Sequence, residues 1–197
     1  MFIVFEGLDG SGKSTQAKKL HEYLQSVGKK SLLTCEPTHG TLGSLARMVT
    51  KGEAAMEDET LALVFAADRH EHYISEIAPF LQEGGYVVCD RYYHSNLAYQ
   101  GVCEKSFERV LGYNRVAMEN PPDIVFFLMT EPKECLERLV ASRPDASIYE
   151  NEKSLEILSQ RYMRVLDFVK RRENIRIVET SGKSESEVFW ECLAWVL

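Results

Sequence analysis

Short apolar runs alternate with helix-period segments along the whole chain. Phe2–Phe5 is continuously apolar and predicts a buried strand. Lys13–Val27 predicts a helix, with Ala17, Leu20 and Leu24 on one side. Ser31–Cys35 predicts a second strand and Thr41–Thr50 a short helix. A long helical pattern follows from Asp58 to Leu81, carried by Leu61, Val64, Phe65, Asp68, His72, Ile74 and Ile77. Pro79 is expected to disturb its last turn, and Gly84-Gly85 to end it. Tyr86–Cys89 and Ile124–Leu128 predict the third and fourth strands, the fourth entered through Pro121-Pro122-Asp123. Pro132–Val140 starts a helix with proline in its first turn, and Ser142–Asn151 reads as a polar loop. Lys153–Arg172 is helical, striped by Leu155, Leu158, Tyr162, Val165, Leu166 and Val169. Ile175–Val178 predicts a fifth strand and Ser184–Val196 a closing helix.

Strands this short and apolar are covered on both faces, and helices separate them. That combination predicts an α/β fold: a five-stranded parallel sheet between two helical layers. The chain of 197 residues shows no repeat or linker, so one domain over 1–197 is expected, with a short lid near 142–152.

The bulk numbers exclude several classes. An apolar share of 45% and a charged share of 27% suit a soluble globular protein. The net charge of -7 argues against a nucleic-acid partner. Lys170-Arg171-Arg172 falls at a helix end, where dipole complementation and solvation account for it. The five cysteines are dispersed without a C-x-x-C pair, which points to reduced thiols rather than a disulfide framework or zinc site. Glu6 cuts the opening apolar run short of a signal peptide, and no run approaches the ~20 residues of a membrane span. A cytoplasmic protein without a membrane partner is expected.

The first strand leads straight into Gly7-Leu8-Asp9-Gly10-Ser11-Gly12-Lys13-Ser14, which fits G-x-x-x-x-G-K-[ST] at every fixed position. The glycines let several backbone N–H groups point inward, and the following helix adds the positive end of its dipole. Lys13 can reach the β- and γ-phosphates, Ser14 can offer its hydroxyl to Mg²⁺, and Thr15 continues the binding turn. The fold is thus of P-loop NTPase type and the ligand a nucleoside triphosphate. The motif leaves open whether the γ-phosphate goes to water, to a second substrate, or nowhere.

Functional groups in such sheets gather at the carboxyl ends of the strands. Asp90-Arg91 ends the third strand, where Asp90 suits Mg²⁺ and Arg91 suits a two-point hold on an anion. Phe65 and Arg69 lie four apart on one helix face and could grip a base. On spacing alone the plainer reading stands, a core Phe beside a solvated Arg. Glu36-Pro37-Thr38 likewise reads locally as a simple turn. No [NT]-K-x-D is present to read guanine, and the Arg143 loop could close over a second substrate.

Taken in order, FEGLDGSGKSTQ, EPTHGTLG, LVFAADRHEH, DRYYHSNLAYQG, PPDIVFFL and a lid resemble the thymidylate kinase family through nearly the whole chain. The resemblance implies ATP and dTMP as substrates, dTDP as product, Mg²⁺, and a homodimer. It implies that Phe65 stacks on thymine, that Arg69 bonds its carbonyl edge, and that Asn96 or Ser95 completes the reading of the base. Tyr99 would sit near the sugar, and Asp9 near the 3'-hydroxyl and acceptor phosphate. Arg91, with Arg47, would hold that phosphate; Glu36 and Pro37 would border the pocket, and Glu150 would line it from the lid. Some members carry an arginine inside the P-loop; here that position is Gly10, and Arg138 and Arg143 are the candidate lid arginines. An Arg often precedes Glu-Pro in the family; here it is Cys35. A kinase for another pyrimidine monophosphate or a deoxynucleoside, or a weakly catalytic nucleotide-binding module, also fits these motifs.

Overall fold

The computed structural model describes residues 1–142 and 152–197. Five parallel strands stand in the order β2-β3-β1-β4-β5. They are β1 (Phe2–Gly7), β2 (Ser31–Cys35), β3 (Tyr86–Asp90), β4 (Ile124–Met129) and β5 (Ile175–Glu179).

β1 is central because it is apolar on both faces, and the period of two divides its side chains between two cores. Phe2 and Val4 join Val87, Cys89, Val125 and Phe127 on one side of the sheet. Ile3 and Phe5 join Val88, Ile124, Phe126 and Leu128 on the other. Leu20 and Leu24 of α1 (Lys13–Ser26) and Phe189 of α10 (Glu185–Leu193) cover the second layer. Each such side chain contributes roughly 1.5–3 kcal/mol over exposure. The register aligns strand ends: Phe5 and Cys35 both pair with Asp90, and Gly7 pairs with Leu128. The carboxyl ends of four strands therefore meet at one edge, where the P-loop leaves β1.

Over the first core lie α3 (Asp58–His72), α5 (Tyr93–Gln100) and α9 (Glu152–Val169), with α2 (Thr41–Thr50) against α3. The long pattern from Asp58 is interrupted earlier than Pro79 itself. A π-helical turn, Tyr73–Ile77, separates α3 from α4 (Ala78–Gln82), and Pro79 sits in the first turn of α4. Pro79 cannot donate to a carbonyl one turn back and crowds it, so the wider turn is placed just upstream. Three helices occupy the stretch that periodicity leaves unassigned: α5, α6 (Glu104–Tyr113) and α7 (Arg115–Glu119). α5 shows no simple stripe because Tyr93, His94, Asn96, Leu97 and Ala98 are all buried. α8 (Pro132–Ser142) precedes the expected lid, whose Arg143 and Glu150 lie outside the described residues. Among the described residues, no helix is long and apolar enough to cross a membrane.

Candidate active site

The P-loop needs its glycines for space as well as for turning. Gly10 and Gly12 adopt φ of 83° and 95°, the left-handed region. A Cβ at Gly7 would lie 2.7 Å from the Leu128 carbonyl, and one at Gly10 would collide with the Cys135 carbonyl. Position 10 therefore has no room for a P-loop arginine while α8 stays where it is. Lys13 is buried; its Nζ donates to the Leu8 carbonyl at 2.6 Å and lies 3.8 Å from Asp9 Oδ1. Burial lowers its pKa, and the Arg91 charge adds to that.

A cleft of about 670 Å³ runs along Asp9–Gln16, Asp90, Arg91 and Arg138, and on to Thr180, Lys183 and Val188. Thr15 is within that lining. Arg138 Nη1 reaches to 3.4 Å from the Gly10 carbonyl, and the side chain pairs with Glu134 at 2.5 Å. The Ser14 hydroxyl donates to Asp90 Oδ2, while Asp90 Oδ1 and Ser11 Oγ are buried atoms without a hydrogen-bond partner among the described residues.

Arg91 is the hinge of the site. It alone among the described non-glycine residues has positive φ, 72°. That conformation costs about 1–2 kcal/mol. It is held by the Arg91 N–H on Phe5 O at 2.9 Å and the Tyr92 N–H on Glu6 Oε1 at 2.8 Å. The guanidinium then donates to Asp9 Oδ1 at 2.5 Å, Ser95 Oγ at 2.8 Å and the Tyr162 hydroxyl at 3.0 Å. The Tyr99 hydroxyl donates to Asp9 Oδ2 at 3.0 Å. Arg91 holds the Asp9 carboxyl well below its ordinary range despite burial, with Lys13 assisting.

Beneath Arg91 lies a buried charge network. Glu6 accepts from Ser95 Oγ at 2.7 Å and the Tyr162 hydroxyl at 3.2 Å. His94 Nδ1 faces Glu6 Oε1 at 3.7 Å, and its Nε2 meets Glu173 Oε2 at 2.7 Å. Burial pushes the Glu6 carboxyl up, but His94, Arg91 and Ser95 together outweigh it and hold it at about 2. Burial pushes His94 down, but Glu173 and Glu6 outweigh it and lift it to about 9. A histidine raised on folding stabilises fully below its unfolded pKa, about 6.5, and loses that contribution as pH rises through its folded value. Glu6 has the opposite sign, present above about 4.5 and lost on acidification toward 2. Thermal unfolding from pH 6 to 10 should therefore show the midpoint falling toward pH 9, and falling less in His94→Gln. Parallel curves for the two proteins would contradict a charged His94.

A second cavity of about 260 Å³ is lined by Asp9, Glu36, Pro37, Thr50, Phe65, Arg69, Arg91, Tyr92, Ser95, Asn96, Tyr99 and Gln100. Nearly every acceptor-side residue named from the sequence converges here. Arg47 does not line it; it stands on α2, 3.4 Å from His39 Nδ1. The two plain local readings are corrected. Arg69 is 2% exposed rather than solvated, and Glu36 is buried rather than a bare turn residue. Arg69 Nε donates to Glu36 Oε2 at 2.6 Å, and His72 Nδ1 meets Glu36 Oε1 at 3.0 Å. An unpaired buried charge would be costly, so each explains the other's burial.

Sequence reasoning missed Glu6, Tyr162 and Gln100 as site residues, and Asn114, whose Oδ1 accepts from Arg69 Nη1 behind the cavity. Glu6 carried a usable signal: a charge inside an otherwise apolar strand needs a buried partner. Tyr162 lay in the α9 stripe, where its ring served as core and its hydroxyl as an unnoticed polar handle.

A sequence model described as thymidylate kinase matches residues 5–189. A probable thymidylate kinase of Methanococcus aeolicus is 38% identical over 194 residues, covering 98% of this chain and 93% of that protein. One from Methanocaldococcus jannaschii is 35% identical over 196 residues, covering 100% and 95%. Among solved structures, the thymidylate kinase of Candida albicans aligns with a TM-score of 0.79 at 25% identity, covering 99% and 90%. That of Ehrlichia chaffeensis aligns at 0.75 and 26%, covering 100% and 97%. With a parallel sheet, a P-loop and a second cavity opening onto the same arginine, the chain belongs to the thymidylate kinase family, enzymes that phosphorylate dTMP to dTDP with ATP.

Proposed function

We propose that this chain runs its family's reaction by in-line transfer across the Asp9–Arg91 pair. One observation carries this reading: among the described residues, the P-loop cleft and the smaller cavity have only Asp9 and Arg91 in common. A triphosphate seated on the amides of Gly10–Ser14 directs its γ-phosphate toward that pair. A nucleoside monophosphate with its base beside Phe65 and Arg69 brings its phosphate to the same place from the other side.

No protein nucleophile is needed, since an oxygen of the dTMP phosphate attacks the γ-phosphorus. The obstacle is repulsion between two anions. Lys13, Arg91 and Arg138 offset it and stabilise charge on the transferred group. Asp9, already ionised, is an acceptor for the sugar hydroxyl and a brace for Arg91. Tyr99 occupies the space beside it and disfavours a 2'-hydroxyl. Phe65 stacks on the base, with Arg69, Asn96 and Ser95 at its polar edge and Glu36-Pro37 as a border. Arg143 and Glu150 are assigned to a lid that excludes water. The buried, unpartnered Asp90 Oδ1 beside the Ser14 hydroxyl fits a hard divalent cation. When bound, Mg²⁺ would neutralise charge on the β- and γ-phosphate oxygens.

Met48 of α2 and Leu63 of α3 are exposed apolar side chains on two helices in contact, which supports a homodimer to which these helices contribute. The function is tested by ADP release over dTMP, dUMP, dCMP and thymidine. dTMP should be turned over best; turnover of thymidine without dTMP would reject the reading.

A further inference from the structure

Arg91 is braced in two different ways. Its Nη2 is paired with a carboxylate, Asp9 Oδ1, at 2.5 Å. Its Nη1 donates instead to two hydroxyls, Ser95 Oγ at 2.8 Å and Tyr162 at 3.0 Å. A hydroxyl both donates and accepts, so it receives a guanidinium hydrogen well only when its own hydrogen points elsewhere. Something must therefore draw both hydroxyl hydrogens away from Arg91.

Glu6 is placed to do this. It is fully buried at the end of β1, and its Oε2 lies 2.7 Å from Ser95 Oγ and 3.2 Å from the Tyr162 hydroxyl. The two hydroxyls are 2.8 Å apart. Burial raises the Glu6 pKa, but His94 and Arg91 outweigh that and hold it at about 2, so at neutral pH the side chain can only accept. Either both hydroxyls donate to Glu6, or one donates to the other and the second donates to Glu6. In both arrangements the oxygens face Arg91 and the hydrogens do not. The other carboxylate oxygen fixes the backbone around them. Tyr92, the N-cap of α5, makes no side-chain cap, and Glu6 Oε1 accepts from the N–H of Tyr92 at 2.8 Å and of Ser95 at 3.2 Å. Glu6 thus sets both where Ser95 stands and which way its hydroxyl points. Because Gly7 follows it, one strand end delivers the P-loop through its main chain and the support of Arg91 through a side chain.

We propose that Glu6 is a positioning residue for phosphoryl transfer: by turning the Ser95 and Tyr162 hydroxyls into acceptors, it holds the Arg91 guanidinium in the plane that meets the acceptor phosphate. The inference rests on reading Arg91 as the group that holds the dTMP phosphate.

Glu6→Gln tests it with little change of shape. The amide oxygen stays with the Tyr92 and Ser95 N–H groups, which can only donate, so the NH₂ faces the two hydroxyls. Their hydrogens lose their acceptor and compete with Arg91. The readout is the dissociation constant of thymidine divided by that of dTMP, which measures what the phosphate adds to binding. In Glu6→Gln this ratio should fall at least tenfold, while thymidine binding stays within threefold, because a nucleoside has no phosphate for Arg91 to hold. A folded variant with an unchanged ratio overturns the inference. So does an equal loss for both ligands, which would make Glu6 a general support of α5. Should Glu6→Gln not fold, Tyr162→Phe carries the test: it keeps the buried ring and removes one Nη1 acceptor, and the ratio should fall at least threefold. An unchanged ratio there overturns the inference as well. Arg91→Ala separates the two failures. If it leaves the ratio unchanged, Arg91 holds no phosphate and the inference falls with the reading beneath it. If it collapses the ratio while Glu6→Gln does not, the positioning role alone fails.

Discussion

Replacing Arg91 with alanine is expected to lower kcat/KM for dTMP about a thousandfold, at ~1.36 kcal/mol per tenfold in rate. Its guanidinium stands where the two clefts meet, bound to Asp9, Ser95 and Tyr162. A unit charge about 4 Å from a phosphoryl oxygen, at an effective dielectric of about 20, stabilises it by about 4 kcal/mol, which is the thousandfold. The fold should survive. Asp9, which loses its main partner, keeps a side chain 40% exposed and can be hydrated. Glu6 loses Arg91 but keeps His94. Arg91→Lys restores charge without the planar two-point hold and should recover only part of the loss. Steady-state ADP release with a circular dichroism control measures this. A loss under tenfold in a folded Arg91→Ala protein would move the transfer site elsewhere.

Why Arg91 was legible and its supports were not is a matter of where the information lies. The P-loop is local: glycines, a lysine and a serine at fixed spacing, between a strand and a helix, with every required atom supplied within about three turns of chain. The sheet was legible because two-sided burial writes itself into continuous apolar runs. The acceptor side is different. Arg69 finds Glu36 across 33 residues and Asn114 across 45, so nothing in the neighbourhood of Arg69 distinguishes a buried, paired guanidinium from a solvated one. Local spacing accordingly favoured the wrong environment for Arg69 and for Glu36, and only the family resemblance pointed the other way. α5 was missed for a related reason, since its residues are either buried or line the cavity, which leaves no solvated polar face to set its period. The π turn depends on how Pro79 is accommodated within a long helix, a choice between neighbouring backbone solutions that composition does not record.

The Arg69–Glu36 pair gives the other large expected effect, and it separates binding from folding. Both side chains are nearly fully buried, at 2% and 3% exposure. Arg69→Ala leaves the buried Glu36 carboxylate facing only His72 Nδ1 among the described residues and should cost about 3 kcal/mol of stability, a large part of the ~5–15 kcal/mol that holds a typical domain. It also removes a base-edge donor, so kcat/KM for dTMP should fall at least a hundredfold. Because α3 lies on the acceptor side of the P-loop, affinity for a non-hydrolysable ATP analogue, titrated calorimetrically, should stay within twofold. The double variant Arg69→Ala, Glu36→Gln tells the two effects apart. Neutralising the acid that has lost its guanidinium should restore much of the denaturant midpoint, since the penalty comes from an under-compensated buried charge rather than from lost packing. It should restore none of the dTMP use, since no donor returns to the pocket. If catalysis recovers together with stability, Arg69 is a structural counter-ion only, and the base must be read by Asn96 and its neighbours without it.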